Sequence, residues 1–316
     1  MAVRVETASS AATEQVRRAL SGRRADVWGF VFQLVLLFTL VFALAVLVVL
    51  LLDVARAAIP YMLERGSELF TSGYSSLPAN SGMKTGIIGS LYIGIFVLVL
   101  ALPLGVAAAI YMEEYAKDTR LTRFINTNVR NLAGVPAIVY GILGLAIFVE
   151  LLKPITGPGT VEGRSLLAGG LTIALMVLPI VIITTQEALR AVPRSIREAG
   201  FGVGATRWEV VRSHVLPYAS PGILTGSVLS TARALGETAP LIMVGAVTGF
   251  LATEGGIFES LQQRFTSLPT LVFAYVKKPV EEFQQVAAAT ILVLIVFIFL
   301  VNLTAILLRN RYERKW

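Results

Sequence analysis

An all-α, polytopic membrane protein with six transmembrane helices is what this sequence predicts, on three observations. The 316 residues are 55% hydrophobic with a mean hydropathy of +0.75, too apolar for an ordinary soluble domain. Six apolar runs, roughly 28–52, 86–110, 132–149, 166–185, 222–247 and 286–308, come close to or exceed the length that crosses a hydrocarbon layer, about 20 residues at about 1.5 Å rise. Lysine and arginine, finally, crowd into alternate segments between those runs. The strand-favouring Val and Ile are no objection, because a backbone in lipid must satisfy its own hydrogen bonds and a helix does so.

The N-terminal 26 residues are polar, rich in Ala, Ser, Thr and Arg and without periodicity. They predict a largely disordered tail or a short interfacial helix. Arg17, Arg18, Arg23 and Arg24 precede the first run and Ala55-Arg56-Ala57 follows it, as around a signal peptide. The run is too long for a signal-peptide core of about 7–15 residues, so it reads as an uncleaved anchor. Residues 61–85 read as a Gly/Ser-rich external loop. Residues 254–284 carry Phe258, Leu261, Phe265, Leu268, Val272, Phe273 and Tyr275 amid polar residues. They predict either short outer-surface helices acting as a lid or docking site, or an ordinary packed loop. The organisation is thus a tail (1–27), a membrane domain (28–309) with one long polar loop (187–217), and a short C-terminal tail (310–316).

Orientation follows from the basic residues. Segments 1–27, 111–130, 187–217 and 309–316 hold 18 of the 27 Lys and Arg, whereas 53–85, 151–165 and 249–284 hold 8. The positive-inside bias places both termini and the 187–217 loop in the cytoplasm of a cell inner (plasma) membrane protein. The net charge of +7 is then explained by lipid headgroups, with no nucleic-acid partner required. With no cysteine, the chain has no disulfide scaffold and no Cys-ligated metal. Gly200-x-Gly202-x-x-Ala205 mimics a dinucleotide fingerprint, but no strand precedes it and no βαβ unit fits. A nucleotide-cradling Gly-x-x-x-x-Gly-Lys-Ser/Thr loop is absent, and the lone His214 has no evident metal or nucleophile partner. The sequence contains no catalytic constellation, so the chain reads as a transport subunit and not an enzyme.

Two constellations carry the chemistry. In the 187–217 loop, Pro193 disfavours helix at Val192 and suits the first residue of a new short helix carrying Ser195, Glu198 and Ala199. Gly200, Gly202 and Gly204 permit a turn or the close approach of another chain. Arg207, Trp208, Glu209 and Arg212 resume an amphipathic helix, and Leu216-Pro217 leads back to the bilayer. In the fifth run, Arg233 and Glu237 stand four apart, so they can pair on one helical turn. Gly226, Ser230, Arg233 and Glu237 fall within about 60° of one another, opposite Leu224, Val228, Leu235 and Ile242. Charge inside a span is costly and faces a bundle interior or a cavity. The pair is either a structural salt bridge or, as we favour, with Ser230 and Thr238, part of an anion pathway, since guanidinium suits phosphate-like oxyanions.

The run Glu198-Ala199-Gly200 with Gly204, Leu216 and Pro217 resembles the EAA loop of ABC-importer permeases, the segment where a membrane subunit meets its ATPase. Gly200 and His214 depart from that pattern. Arg233-Ala-Leu-Gly-Glu237-Thr238-Ala-Pro240 is similar to the signature of phosphate-importer permeases of the Pst type, A subunit. Asn131-Leu-Ala-Gly-Val-Pro-Ala-Ile-Val-Tyr-Gly141 and the C-terminal Leu308 to Trp316 are similar too, so the resemblance runs from about the second span to the end. It implies a type I ABC-importer permease-like bundle with a cytoplasmic coupling helix. It also implies a second permease of the C type, two ATPase subunits that bind ATP and Mg in place of this chain, and an extracytoplasmic phosphate-binding protein. The alternatives are a sulfate, molybdate or phosphonate permease of the same architecture, or a secondary transporter.

Overall fold

The computed structural model describes residues 27–158, 160, 162–246 and 257–312, and the regular elements among them are helices. The chain divides into two compact units, residues 1–53 and 54–316. The first unit is described from residue 27, where α1 (Val27–Arg65) begins, and its sequence is apolar on every side, as a helix in lipid requires. The 39 residues of α1 overrun the expected 28–52 span and absorb the start of the loop expected at 61–85.

The second unit is built around α5 (Leu166–Arg190), whose Ile173, Met176, Val177, Val181 and Ile182 are buried. Packed on it are α2 (Lys84–Tyr115), α3 (Arg120–Ala133), α4 (Ala137–Leu151) and α8 (Leu216–Gly236). Between α5 and α8 come α6 (Arg194–Gly202) and α7 (Arg207–Val210), and after α8 come α9 (Ala239–Met243), α10 (Leu268–Val276) and α11 (Glu281–Tyr312). Small residues let the helices close on α5: a Cβ at Gly105 would stand 2.6 Å from Val181 Cγ1, and one at Gly226 2.5 Å from Thr184 Oγ1. That is the packing expected where lipid gives no hydrophobic push between helices. Two prolines sit just after π-helical turns, Pro103 after Val97–Ala101 and Pro217 after Val211–Val215. A proline has no N–H to give and its ring crowds the preceding turn, which the wider π turn accommodates without ending the helix.

The expectation of six spans is corrected. Among the described residues four helices are long and apolar enough to cross a membrane: α1, α2, α5 and the Glu281–Leu307 part of α11. A fifth is added only if α3 and α4, bent by 104° at their junction, count as one broken span. The bend falls at Gly134–Val135–Pro136, where Pro136 flanks the start of α4. The run expected at 222–247 is not one helix: α8 stops at Gly236, Glu237 is extended (φ −77°, ψ 124°) and α9 restarts at Ala239. Pro240 lies four residues after Gly236, so an uninterrupted helix would drive its ring into the Gly236 carbonyl. The all-α, polytopic character stands.

The 254–284 segment, described from residue 257, carries short helices, Ile257–Leu261 and α10. Phe265, Leu268 and Tyr275 are fully buried. The Leu268 N–H donates to Ser90 Oγ (2.8 Å) and the Tyr275 hydroxyl to the Gly82 carbonyl (2.7 Å), so α10 is fastened to the start of α2. The N-terminal tail and residues 313–316 lie outside the described residues.

Candidate functional site

The 187–217 segment folds as its turn chemistry predicts. α5 ends at Arg190, and Pro193 (φ −56°, ψ 140°) flanks α6 as its cap, one position earlier than the first helical residue expected of it. Glu198 and Ala199 lie on the exposed side of α6, while Gly200 is buried. The glycines divide their work. Gly204 has φ +82° and makes the turn, with open space around it. Gly200 makes the close approach, since a Cβ there would stand 2.8 Å from Val210 Cγ2. Gly202 is exposed and unconstrained. After the turn, Thr206 and Glu209 form a reciprocal capping box, the Thr206 N–H donating to Glu209 Oε2 at 2.7 Å and the Glu209 N–H to Thr206 Oγ1 at 3.4 Å. That fixes the entry to α7. The π turn carries α7 into α8, so Leu216 and Pro217 lie inside a rising helix rather than at a break.

This helix-turn-helix leaves Phe201, Val203 and Trp208 exposed at 49%, 83% and 56%, beside the exposed Glu198. Behind that surface, Leu189, Val192, Val210, Val215 and Ala219 form a buried cluster. The segment is further tied to the end of α2 and to α3 by polar contacts. Arg197 donates to Glu114 (2.7 and 3.2 Å) and to the Val192 and Leu189 carbonyls (2.8 Å each). Arg190 pairs with Glu113 at 2.5 and 3.0 Å. Gln186 donates to Asn126 Oδ1 at 2.9 Å, and Arg207 lies 5.4 Å from the Tyr115 ring centre. Glu209, outside the spans, is held below the usual carboxylate range by the Thr206 backbone N–H first and by the Thr206 hydroxyl second. A rigid, tethered mount with a partly apolar outer face can receive a force from another protein and pass it to α2, α5 and α8.

Sequence reading missed the tethers. Glu113 and Glu114 follow the second apolar run, and Arg190 and Arg197 follow the fourth. Opposite charge in two segments on the same side of the membrane was the available signal.

The second constellation is partly assembled. Arg233 Nε stands 3.3 Å from Glu237 Oε1, the side chains 51% and 20% exposed. Glu237 occupies the first residue past α8, and Thr238 lies in the break that follows. Ser230 is buried and its hydroxyl donates to the Gly226 carbonyl (2.7 Å), away from the ion pair. The expected polar stripe therefore splits. Gly226 and Ser230 are buried, whereas Arg233 belongs to an exposed stripe with Gly222, Thr225, Leu229 and Gly236. Just beyond the break, Pro240 rests on α4: a Cβ at Gly141 would stand 2.7 Å from Pro240 Cα. The runs 131–141 and 233–240, remote in sequence, thus meet in space.

The described residues form a helical bundle with an exposed, tethered α6–α7 turn, and among them no cluster of potential metal ligands occurs. A model of the binding-protein-dependent transport system inner membrane component matches residues 101–315, more than half of the sequence. The chain belongs to that family. The phosphate transport system permease protein PstA of Yersinia pestis is 34% identical over 230 residues, 72% of each chain. The probable ABC transporter permease protein YqgI of Bacillus subtilis is 33% identical over 181 residues, and the match spans 57% of this chain and 59% of that relative. Among solved structures, a bacterial alginate ABC transporter in complex with an alginate pentasaccharide-bound periplasmic protein has the same fold. Its TM-score is 0.61 at 14% identity over 87% of this chain and 92% of its own. An inward-facing MetNI methionine ABC transporter matches at TM-score 0.54 and 19% identity over 74% and 95%.

Proposed function

We propose that this chain is the membrane permease subunit of an ATP-driven importer of inorganic phosphate. It forms the translocation path with a second, C-type permease and docks two cytoplasmic ATPase subunits through Glu198, Ala199, Gly200, Gly204, Leu216 and Pro217. An extracytoplasmic phosphate-binding protein delivers the anion, and both termini are cytoplasmic. The observation that carries this reading is the exposed α6–α7 turn fixed from behind by Arg197–Glu114, a mount for a partner on a family permease. The identity to a protein named for phosphate transport supports the cargo. On this reading Arg233, on the exposed stripe of α8 and paired with Glu237, meets the anion, with Ser230 in the preceding turn and Thr238 in the break as the further candidates.

Uptake of phosphate by the reconstituted complex, with sulfate, molybdate and phosphonate as competitors, tests the cargo. Phosphate uptake that requires ATP and resists the competitors is expected. Displacement by sulfate, or uptake driven by an ion gradient alone, overturns the reading. The chain has no cysteine, so a single cysteine at Arg207 reports topology: labelling by an impermeant reagent from outside intact cells would reverse the orientation.

A further inference from the structure

Helix α3 has three faces, and the bundle uses only one. At about 100° per residue, Thr122, Asn126, Val129 and Ala133 share the side turned to the bundle, where they are partly buried and Asn126 accepts from Gln186. Next round the helix come Leu121, Phe124, Ile125 and Leu132, exposed at 67%, 65%, 43% and 45%, with Asn128 among them donating its amide N–H back to the Phe124 carbonyl (2.7 Å). On the third side lie Arg120, Arg123 and Arg130, all exposed, with Lys117 in the preceding turn. The acidic group facing them is Asp118, which pairs with Arg123 at 3.0 Å.

An apolar face beside a basic one, with little overall hydrophobicity, marks a helix that lies in a membrane interface. The direction of α3 agrees. It meets α4 at 104°, and α4 packs alongside the long apolar α5. With α4 and α5 along the bilayer normal, α3 runs in the plane of the membrane. It does so at the end of the bundle that carries the Glu113–Arg190 and Glu114–Arg197 pairs.

We propose that α3 is a lipid-binding element lying in one membrane interface, with Leu121, Phe124, Ile125 and Leu132 among acyl chains and Lys117, Arg120 and Arg130 on anionic phospholipid headgroups. Through Asn126–Gln186 it grips the last turns of α5, so the lipid surface fixes the height at which the docking turn is held. This goes beyond the transport reading and holds whatever anion is carried.

The test uses the full complex, assembled with its partner subunits, in phosphatidylcholine vesicles. An environment-sensitive fluorophore is placed on Leu121→Cys, Phe124→Cys or Thr127→Cys. Brominated acyl chains should quench the probes at 121 and 124 several-fold more than the one at 127. At equal minor fractions, brominated phosphatidylglycerol should quench position 124 more than brominated phosphatidylcholine. That preference should vanish in Arg120→Gln/Arg130→Gln, a surface change that leaves assembly intact. Equal quenching at all three positions, or probes at 121 and 124 shielded by the second permease, overturns the proposal. A headgroup preference that survives in the double variant overturns its electrostatic half.

Discussion

Two ion pairs of the same chemistry do opposite kinds of work here. Arg197–Glu114 joins residues 83 apart in sequence, and its carboxylate side chain is 9% exposed. Arg233–Glu237 joins residues four apart at a helix end, and its guanidinium side chain is 51% exposed. In the first, each guanidinium nitrogen donates to an oxygen of Glu114 in α2, Leu189 in α5 or Val192 just after it, so the pair fixes tertiary position. The second fixes nothing remote, and it leaves a cation on the open stripe of α8. Burial separates a charge that fixes packing from one left open to solvent.

That contrast breaks first, and hardest, at the buried pair. Arg197→Ala strands the Glu114 carboxylate and frees two carbonyls, and should cost about 3 kcal/mol, the low end for breaking a buried pair. Thermal denaturation of the purified complex reads it. Partial rescue by Glu114→Ala in the same chain is expected, because the stranded charge is then gone; no rescue would mean that the carbonyl contacts of Arg197 carry its role alone.

The exposed pair should behave in reverse. Arg233→Gln/Glu237→Gln should leave assembly and denaturation unchanged while phosphate uptake per assembled complex falls at least about tenfold, about 1.4 kcal/mol in the barrier. An unbalanced arginine would hold a divalent anion too tightly and a neutral site would attract it too weakly. Near-normal uptake would return Arg233 to helix packing and remove it from the anion's route.

The α6–α7 turn, proposed above to meet the ATPase, tests whether shape or charge matters at the outer face. Gly204→Val forces a branched side chain into φ +82° and should cost about 1 kcal/mol or slightly more, loosening ATPase attachment. Gly204→Asn, which tolerates that region, should stay near the parent, because the space there is open. Glu198→Lys, on the exposed side of α6 beside Arg194, should leave stability alone and uncouple ATPase activity from uptake. Co-purification and ATPase stimulation, measured together, decide it. If all three variants match the parent, this turn is not the ATPase contact.

How much of this was legible depends on range. Local rules place Pro193 to within one residue and put a turn among Gly200, Gly202 and Gly204, whereas the Thr206–Glu209 box, an equally local Thr-x-x-Glu signal, went unread. The tethers Glu114–Arg197 and Gln186–Asn126 are set by how α2, α3 and α5 pack, which no local rule specifies. The span count failed for a different reason. Averaging apolarity over 222–247 hides the extended break at Glu237 ahead of Pro240, and over 132–149 it hides Gly134 and Pro136 at the 104° bend.

The smallest effect expected is at Glu209, and its sign follows from the direction of its shift. The carboxylate sits below its usual pKa because the Thr206 N–H and hydroxyl favour the charged form. Its contribution is therefore fully present above the unfolded glutamate value of about 4.3 and is lost as pH falls through the lower, folded value. Amide exchange at Thr206 should stay slow from neutrality down to that value and accelerate only below it, while exchange in buried α5 is unchanged. Glu209→Gln keeps an acceptor for the Thr206 N–H but no titration, so it should abolish the acid step and retain most of the protection. An acid step that persists in Glu209→Gln would remove the Thr206–Glu209 cap as the source of acid sensitivity in the α6–α7 turn.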